Sequence, residues 1–282
     1  MQLNQLKKEF TQQLKNLYSE GELRTMFYWL AETYLQKSKI ELLSHPKLVL
    51  NQSKVDLFYK AIKRLKTAEP IQYILGFTEF CDSKFKVNSS VLIPRPETEE
   101  LVEWISENHQ GQSPKIIDIG SGSGCIGVSL AKKIKSAEVA CLDVSEEALQ
   151  VAQENAQLNQ VNLKFIQEDI LKIDQLEDNY QVVVSNPPYV LKNEMKLMRS
   201  NVLDHEPHLA LFVEDNNPLI FYHKIATLVK KQTKNCVLYF EINEQYGSQL
   251  VKDLIAMGFQ DVRFKKDFLN KPRMLNATMK AH

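Results

Sequence analysis

The tetrapeptide Asn186-Pro187-Pro188-Tyr189 carries the groups best suited to chemistry, and it follows an apolar run at 182–185. The nitrogen of an amide or aromatic amine is a poor nucleophile because its lone pair is delocalised, so a catalyst must hold it through its N–H groups. The side-chain oxygen of Asn186 and the carbonyl oxygen of Pro187 can both accept those hydrogens. Two prolines stiffen the loop, and Tyr189 offers a flat face for stacking. The motif predicts a site that orients a planar amide or amine group.

A glycine-rich loop follows an earlier apolar run, and a helical pattern resumes after it. Glycines let the backbone approach a ligand closely at the N-terminus of a helix. The candidate cofactor-binding residues of this loop are Gly120, Ser121, Gly122, Ser123 and Gly124. Gly122, Gly124 and Gly127 also have the spacing of a dinucleotide-binding loop. The loop alone therefore does not distinguish a nicotinamide cofactor from another nucleoside.

Acidic residues stand at the ends of two further predicted strands. Asp143 closes the second strand, where a carboxylate can accept hydrogen bonds from both ribose hydroxyls of a bound nucleoside. Asp169 follows the third strand and can accept from an adenine amino group, while Ile170 packs on the base. A competing interpretation makes Asp169 a solvated cap of the following turn. Asp143, Asp169 and Ile170 are therefore further cofactor-binding candidates.

The two ends of the predicted site favour one reaction class. Two acceptors on one nitrogen would aim its lone pair at a sulfonium methyl group and stabilise the developing positive charge. A hydride-transferring enzyme has no use for this pair, so S-adenosylmethionine is the expected cofactor. Asn186, Pro187 and Tyr189 are the catalytic candidates, and the competing interpretation is a plain Asn-Pro turn. No metal is expected, because the sulfonium already activates the methyl group.

The pattern of apolar residues predicts three parts of the chain. Residues 1–67 show helical periodicity and predict a small helical domain, and residues 68–96 predict a hairpin linker. In residues 97–282, short apolar strands alternate with helices, which indicates an α/β fold with a doubly wound parallel sheet. Ligands of such sheets bind beyond the carboxyl ends of the strands. The predicted strands are Lys115–Ile119, Glu138–Asp143, Leu163–Ile166, Gln181–Ser185 and Cys236–Ile242.

Composition narrows the classes of function. The 35 Lys and Arg residues balance the 35 Asp and Glu residues, so no global positive field favours stable nucleic-acid binding. The four cysteines form no close pair, and no apolar segment resembles a signal peptide, so we expect a cytoplasmic protein. No run approaches the length of a membrane span, so no membrane association is expected.

With these residues in view, nearly the whole chain resembles the peptide chain release factor glutamine N5-methyltransferases. Besides the Asn-Pro-Pro-Tyr motif, the resemblance rests on four segments: EPIQYILG at 69–76, LIPRPETEELV at 92–102, DIGSGSGCIG at 118–127 and LDVSEEALQVAQENA at 142–156. It implies a seven-stranded, Rossmann-like methyltransferase domain, joined by a hairpin to a helical N-terminal domain that recognises the release factor. The implied substrate is the glutamine of a Gly-Gly-Gln loop.

The resemblance also implies roles for particular residues. Residues 120–124, Asp143, Ile170 and Asn186 match the family's cofactor-binding positions, and Asn186, Pro187, Pro188 and Tyr189 match its substrate-binding positions. The chain departs from the family pattern at Cys81-Asp82, which replaces an aromatic-glycine pair, and at His205, where Tyr often stands.

Three other functions share some of these features. A DNA adenine-N6 methyltransferase would use the same motif after base flipping, but it would need a basic target-reading domain. A ribosomal-protein glutamine methyltransferase would share the chemistry and differ only in its partner. A cofactor-binding adaptor without catalysis would not need the double acceptor.

Overall fold

The computed structural model describes residues 1–281, and the chain divides into two compact units. One unit comprises Met1–Gly76 together with Arg199–His205. The other comprises Phe77–Met198 and the chain from Glu206 onwards. Among residues 1–281, no helix combines the length and apolar character that crossing a membrane requires.

The first unit is built of helices, with one isolated antiparallel bridge between Gln2 and Val49. Its helices are α1 (Leu3–Leu14), α2 (Glu20–Leu35), α3 (Lys39–Ser44), α4 (Gln52–Leu65), α5 (Ile71–Leu75) and, after the excursion through the second unit, α9 (Ser200–Leu203). Ser19 and Ser38 cap α2 and α3, and the Glu three residues later completes a capping box at each. Phe10, Phe27 and Phe58 lie at the centre of a core that excludes water.

The predicted hairpin linker is shorter than the 68–96 expected from the sequence. Residues 71–75 form α5, because Pro70 begins the helix and Gly76, with φ of 79°, ends it. Ile71 and Ile74 are three residues apart and are both buried, which is helical rather than alternating spacing. Within residues 68–96, the hairpin consists of β1 (Phe77–Phe80) and β2 (Ser83–Lys86).

The second unit is built on a seven-stranded sheet. Its strands are β3 (Lys115–Ile119), β4 (Glu138–Asp143), β5 (Lys164–Gln167), β6 (Val182–Ser185), β9 (Cys236–Glu241), β10 (Gln260–Lys266) and β11 (Pro272–Met279). Their order across the sheet is β10-β11-β9-β6-β3-β4-β5. The five strands from β9 to β5 are parallel, as predicted. The other two strands, β10 and β11, lie outside the predicted parallel set, and β11 pairs antiparallel with both of its neighbours.

Helices cover both faces of this sheet. They are α6 (Pro96–Asn108), α7 (Cys125–Lys133), α8 (Glu146–Leu158), α10 (Ile220–Lys230) and α11 (Gly247–Ala256). The first three contribute to one buried core, and the last two contribute to a second core with the opposite strand side chains. A further two-stranded sheet pairs β7 (Val190–Leu191) with β8 (Phe212–Val213). The domain is therefore doubly wound, as the alternation of elements predicts.

The order of the strands reverses next to β3. The chain runs from β3 outward to β4 and β5, then returns to β6 on the other side of β3 and continues to β9. The loops after β3 and β6 consequently leave the sheet in opposite directions and open a crevice at the carboxyl ends of the strands.

Candidate active site

A cavity of about 420 Å³ lies at the carboxyl ends of the parallel strands. Loops after β3, β5 and β6 and the end of β4 form its walls, so the fold brings together residues that are distant in sequence. Ten of the predicted site residues line it: Gly120, Ser121, Gly122, Ser123, Asp143, Asp169, Ile170, Asn186, Pro187 and Pro188. Among residues 1–281, the walls leave out two predicted residues, Gly124 and Tyr189.

Gly124 supports the cavity from behind. It has φ of 74° at the beginning of α7, and a Cβ atom there would lie 2.9 Å from the Cβ of Ala152 on α8. Both the left-handed backbone and the close contact exclude a side chain. Gly124 therefore allows α7 and α8 to pack closely while the preceding residues of the loop face the cavity.

The rest of the glycine loop is held by hydrogen bonds at both ends. The N–H groups of Gly120 and Ser121 donate to the carbonyl of Leu142, at 2.8 and 3.1 Å. The carbonyl of Ser123 accepts from Nδ2 of Asn155, which is fully buried, at 2.9 Å. These hydrogen bonds hold the loop in place without a ligand, which reduces the cost of ordering it on binding.

Asp143 combines exposure to the cavity with backbone hydrogen bonds. Its Oδ2 accepts from Gly122 N at 2.8 Å, and its Oδ1 accepts from Ser145 N at 3.0 Å. Burial raises the pKa of this carboxyl, and the backbone N–H groups of Ser145, Gly122 and Val144 oppose that rise. Each carboxylate oxygen has a second lone pair, so Asp143 can still accept hydroxyl donors from a ligand.

Asp169 fits both interpretations given from the sequence. It lines the cavity, and its Oδ1 also accepts from Leu171 N at 3.0 Å as a cap of the following turn. Its Oδ2 lies 3.0 Å from Nζ of Lys172. Ile170 is buried beside it, and its side chain contributes an apolar wall.

Asn186 and its neighbours differ in their surroundings. Asn186, Pro187 and Pro188 face the cavity, and Nδ2 of Asn186 donates to Oγ1 of Thr98 at 3.4 Å. The Tyr189 hydroxyl donates to Oε1 of Glu241 at 3.2 Å, and burial raises its pKa. The ring of Tyr189 packs against the core and does not line the cavity, so Tyr189 supports the site without facing a ligand.

Sequence reasoning missed two residues of this site, Thr98 and Glu241. Thr98 lies in the first turn of α6 and lines the cavity, and it donates to Oε2 of Glu241 at 2.6 Å. Glu241 is the last residue of β9 and is only 2% exposed. An acid at the carboxyl end of a predicted strand was the signal that identified Asp143, and the same signal was present for Glu241.

The cavity fits S-adenosylmethionine in volume and chemistry. Its volume of about 420 Å³ lies within the roughly 300–1,000 Å³ range of small-molecule sites. Asp143 supplies acceptors for ribose hydroxyls, and Ile170 and Leu142 supply apolar walls for a base. Asn186 and Pro187 lie in the same cavity, so a nucleoside and an acceptor nitrogen can meet there.

The fold and this cavity define an S-adenosylmethionine-dependent methyltransferase. A family model described as "Methyltransferase small domain" matches residues 96–209, and one described as "PrmC N-terminal domain" matches residues 5–76. The release factor glutamine methyltransferase of Flavobacterium psychrophilum is 42% identical over 285 residues, which cover 99% of this chain and 100% of that protein.

Other relatives agree with this assignment. The release factor glutamine methyltransferase of Bacteroides thetaiotaomicron is 38% identical, covering 98% of this chain and 99% of that protein. That of Lactococcus lactis is 44% identical, covering 80% of this chain and 84% of that protein. The chain belongs to the release factor glutamine methyltransferase family, and the resemblance read from its motifs is confirmed. S-adenosylmethionine is the cofactor of this family.

Proposed function

We propose that this chain transfers a methyl group from S-adenosylmethionine to the side-chain nitrogen, N5, of the glutamine in a release factor's Gly-Gly-Gln loop. The observation that carries the proposal is the shared cavity. Asp143 and the glycine loop form its nucleoside end, and Asn186 and Pro187 stand at the end of a neighbouring strand. Membership of the family identifies the class of substrate.

The chain's own groups perform two tasks in this proposal. Asp143 and the loop at 120–124 hold the cofactor, and the fixed backbone of that loop sets its position. Oδ1 of Asn186 and the carbonyl oxygen of Pro187 accept the two N–H groups of the glutamine amide. These bonds orient the nitrogen lone pair and stabilise the positive charge that develops on it.

The covalent change itself is simple. When bound, S-adenosylmethionine would supply a methyl group on a sulfonium sulfur, and the electron pair of the broken S–C bond would stay with that sulfur. The glutamine nitrogen exchanges one hydrogen for the methyl group and releases a proton to water. The oxygens of Asn186 and Pro187 lower the cost of that exchange because the hydrogen bonds they accept from the N–H groups strengthen as positive charge appears on the nitrogen.

Recognition of the release factor is assigned to the N-terminal helices, residues 1–67 as read from the sequence. The match of residues 5–76 to a model described as an N-terminal domain of this family supports that assignment. The four cysteines, Cys81, Cys125, Cys141 and Cys236, are all unpaired. Unpaired thiols suit the reducing cytoplasm, which we propose as the location of the reaction.

A labelled methyl donor tests the proposal directly. The protein is incubated separately with a folded release factor, with a ribosomal protein and with DNA. We expect label only in the release factor, and mass spectrometry to place one methyl group on the Gly-Gly-Gln glutamine. Replacing that glutamine with Asn should abolish transfer, because the shorter side chain does not reach the cavity. Label in adenine of DNA would contradict the proposal.

A further inference from the structure

Glu241 is a buried acid that no step above uses. It lies at the carboxyl end of β9, is 2% exposed, and holds two hydroxyl groups from different elements. Oε2 accepts from Thr98 of α6 at 2.6 Å, and Oε1 accepts from Tyr189 at 3.2 Å. Burying a carboxylate is costly unless its oxygens are satisfied, so the two donors account for its presence there. Both donors belong to segments that border the acceptor end of the cavity.

The direction of these hydrogen bonds constrains Asn186. Oγ1 of Thr98 donates to Oε2 of Glu241 at 2.6 Å, so the single hydroxyl hydrogen of Thr98 is committed to Glu241. The Thr98 oxygen is then left as an acceptor. It lies 3.4 Å from Nδ2 of Asn186, which is a long hydrogen bond. As an acceptor, this oxygen attracts the NH2 group of the Asn186 amide and repels the amide oxygen.

The remaining end of the amide is the one that the proposed chemistry needs. Within residues 1–281, Oδ1 of Asn186 accepts no hydrogen bond from another residue, and Asn186 lines the cavity. If Thr98 instead offered its hydrogen to Asn186, the amide would rotate and present NH2 to the substrate. Two NH2 groups would then face each other, and the acceptor required by the glutamine would be lost.

We propose that Glu241 and Thr98 are positioning residues that fix the orientation of the Asn186 amide through an ordered chain of hydrogen bonds. The inference rests on the proposed function, in which Oδ1 of Asn186 accepts from the glutamine nitrogen. Neither Glu241 nor the Thr98 hydroxyl touches the reacting atoms in this account. Their effect passes entirely through Asn186.

Tyr189 extends the same arrangement to the other end of the motif. Its hydroxyl uses the second oxygen of Glu241, and its carbonyl accepts from Nδ2 of Asn243 at 3.2 Å. One carboxylate therefore ties down the first and last residues of Asn-Pro-Pro-Tyr. This explains why Tyr189 belongs to the motif although its ring packs against the core.

Two nearly isosteric substitutions test the chain of hydrogen bonds. Glu241→Gln keeps the size of the side chain but adds an NH2 donor, so Thr98 no longer has to donate toward β9. Thr98→Val keeps the shape and removes the hydroxyl. We expect each to lower kcat for release factor methylation by about 10- to 100-fold, with KM and the affinity for S-adenosylmethionine changed less than about threefold. Thr98→Ser, which keeps the hydroxyl, should recover most of the rate.

Glu244, three residues after Glu241, provides a matched control. Glu244 is exposed and forms a 3.7 Å ion pair with Lys271, so Glu244→Gln makes the same chemical change outside the chain of hydrogen bonds. It should leave kcat unchanged. Thermal unfolding of every variant reports whether the fold is kept. If Glu241→Gln does not fold, Thr98→Val and Thr98→Ser still decide the question.

A measurement without turnover separates this inference from the proposed function. The side-chain amide signals of Asn186 in a ¹⁵N NMR spectrum can be assigned by their loss in Asn186→Asp. We expect them to shift in Thr98→Val and Glu241→Gln and to stay in place in Thr98→Ser and Glu244→Gln. If these signals shift as expected but the wild-type protein does not methylate release factor, the inference is supported and the proposed function is rejected. An active wild type with full kcat in Thr98→Val and Glu241→Gln would overturn the inference.

Discussion

The backbone N–H of Gly122 donates a 2.8 Å hydrogen bond to Oδ2 of Asp143, which joins the glycine loop to the end of β4. Asp143 thus has two tasks, because it shapes the loop and also presents acceptors to the cavity. Its second oxygen accepts from Ser145 N at 3.0 Å. Removing the carboxylate should therefore weaken cofactor binding in two ways: a direct contact is lost, and the glycine loop is held less firmly.

We predict that Asp143→Ala weakens S-adenosylmethionine binding at least tenfold. A charge-assisted hydrogen bond contributes about 1.5–3 kcal/mol, and about 1.4 kcal/mol corresponds to a factor of ten. Isothermal titration calorimetry on the purified variant measures the affinity. Glu146→Ala is the control, because Glu146 is an exposed acid three residues away at the start of α8. Unchanged affinity in Asp143→Ala would remove Asp143 from the cofactor site.

Asn186→Ala should lower turnover by roughly two orders of magnitude or more, because it removes an acceptor that is needed most as charge develops on nitrogen. The melting temperature should change little, since Asn186 is only partly buried. Steady-state kinetics on the release factor measures kcat, with Asn193→Ala as the control at an exposed Asn. A near wild-type rate in Asn186→Ala would rule out the double-acceptor mechanism.

The parts of the fold that were predictable are those in which burial leaves a clear pattern. The predicted bounds of β3 and β4 match the structure, because both strands are buried apolar runs in the middle of the sheet. Strands β10 and β11 were not among the predicted strands. The Gln260–Lys266 sequence of the edge strand β10 is largely exposed and charged, so it has no apolar alternation to detect.

The site divides in a similar way. Residues immediately after the parallel strands were predictable, because the topology of a doubly wound sheet places them at one edge. Thr98 was not predictable from position, since it reaches the cavity from the first turn of α6 rather than from a strand end. The Tyr189 hydroxyl contacts Glu241 and its ring packs against the core, and no local pattern indicates that these groups meet in the fold.

Asp118 should make stability depend on pH. It is fully buried, its Oδ2 accepts from Gly127 N at 3.0 Å, and burial raises its pKa from 3.8 to about 7. Between about pH 4 and pH 7 the folded state therefore holds a proton that the unfolded state has released, so the free energy of unfolding falls as pH rises through this window. Above about pH 7 both states are ionised and the contribution is constant.

The matching experiment compares wild type with Asp118→Asn, which keeps an acceptor for Gly127 but cannot ionise. Urea unfolding at pH 5, 6, 7 and 8 gives the free energy of unfolding of each protein. We expect the difference between them to grow in favour of Asp118→Asn up to about pH 7 and then to level off. A difference that is independent of pH would show that Asp118 does not have the raised pKa.

The hairpin turn between β1 and β2 offers a stability gain. Cys81 and Asp82 have φ of 46° and 54°, and a type I′ two-residue turn requires positive φ at both central residues. A residue with a Cβ atom pays a free-energy penalty for this left-handed backbone. Asp82→Gly should therefore raise the free energy of unfolding by about 0.5–1 kcal/mol. Asp82→Ala, which keeps a Cβ and loses the carboxylate, should give no such gain. Chemical denaturation measures both, and a loss in Asp82→Gly would contradict the strain argument.

The glutamine must reach the cavity on a flexible loop. Flanking glycines let a Gly-Gly-Gln backbone enter a narrow cleft without side-chain clashes, but they also make a free peptide flexible. Ordering that segment opposes binding, and only further contacts to a folded release factor can offset the cost. We therefore expect kcat/KM to be at least tenfold higher for the intact factor than for a Gly-Gly-Gln peptide, with most of the difference in KM. Equal values for peptide and intact factor would show that recognition stops at the loop, and would remove the role proposed for the N-terminal helices.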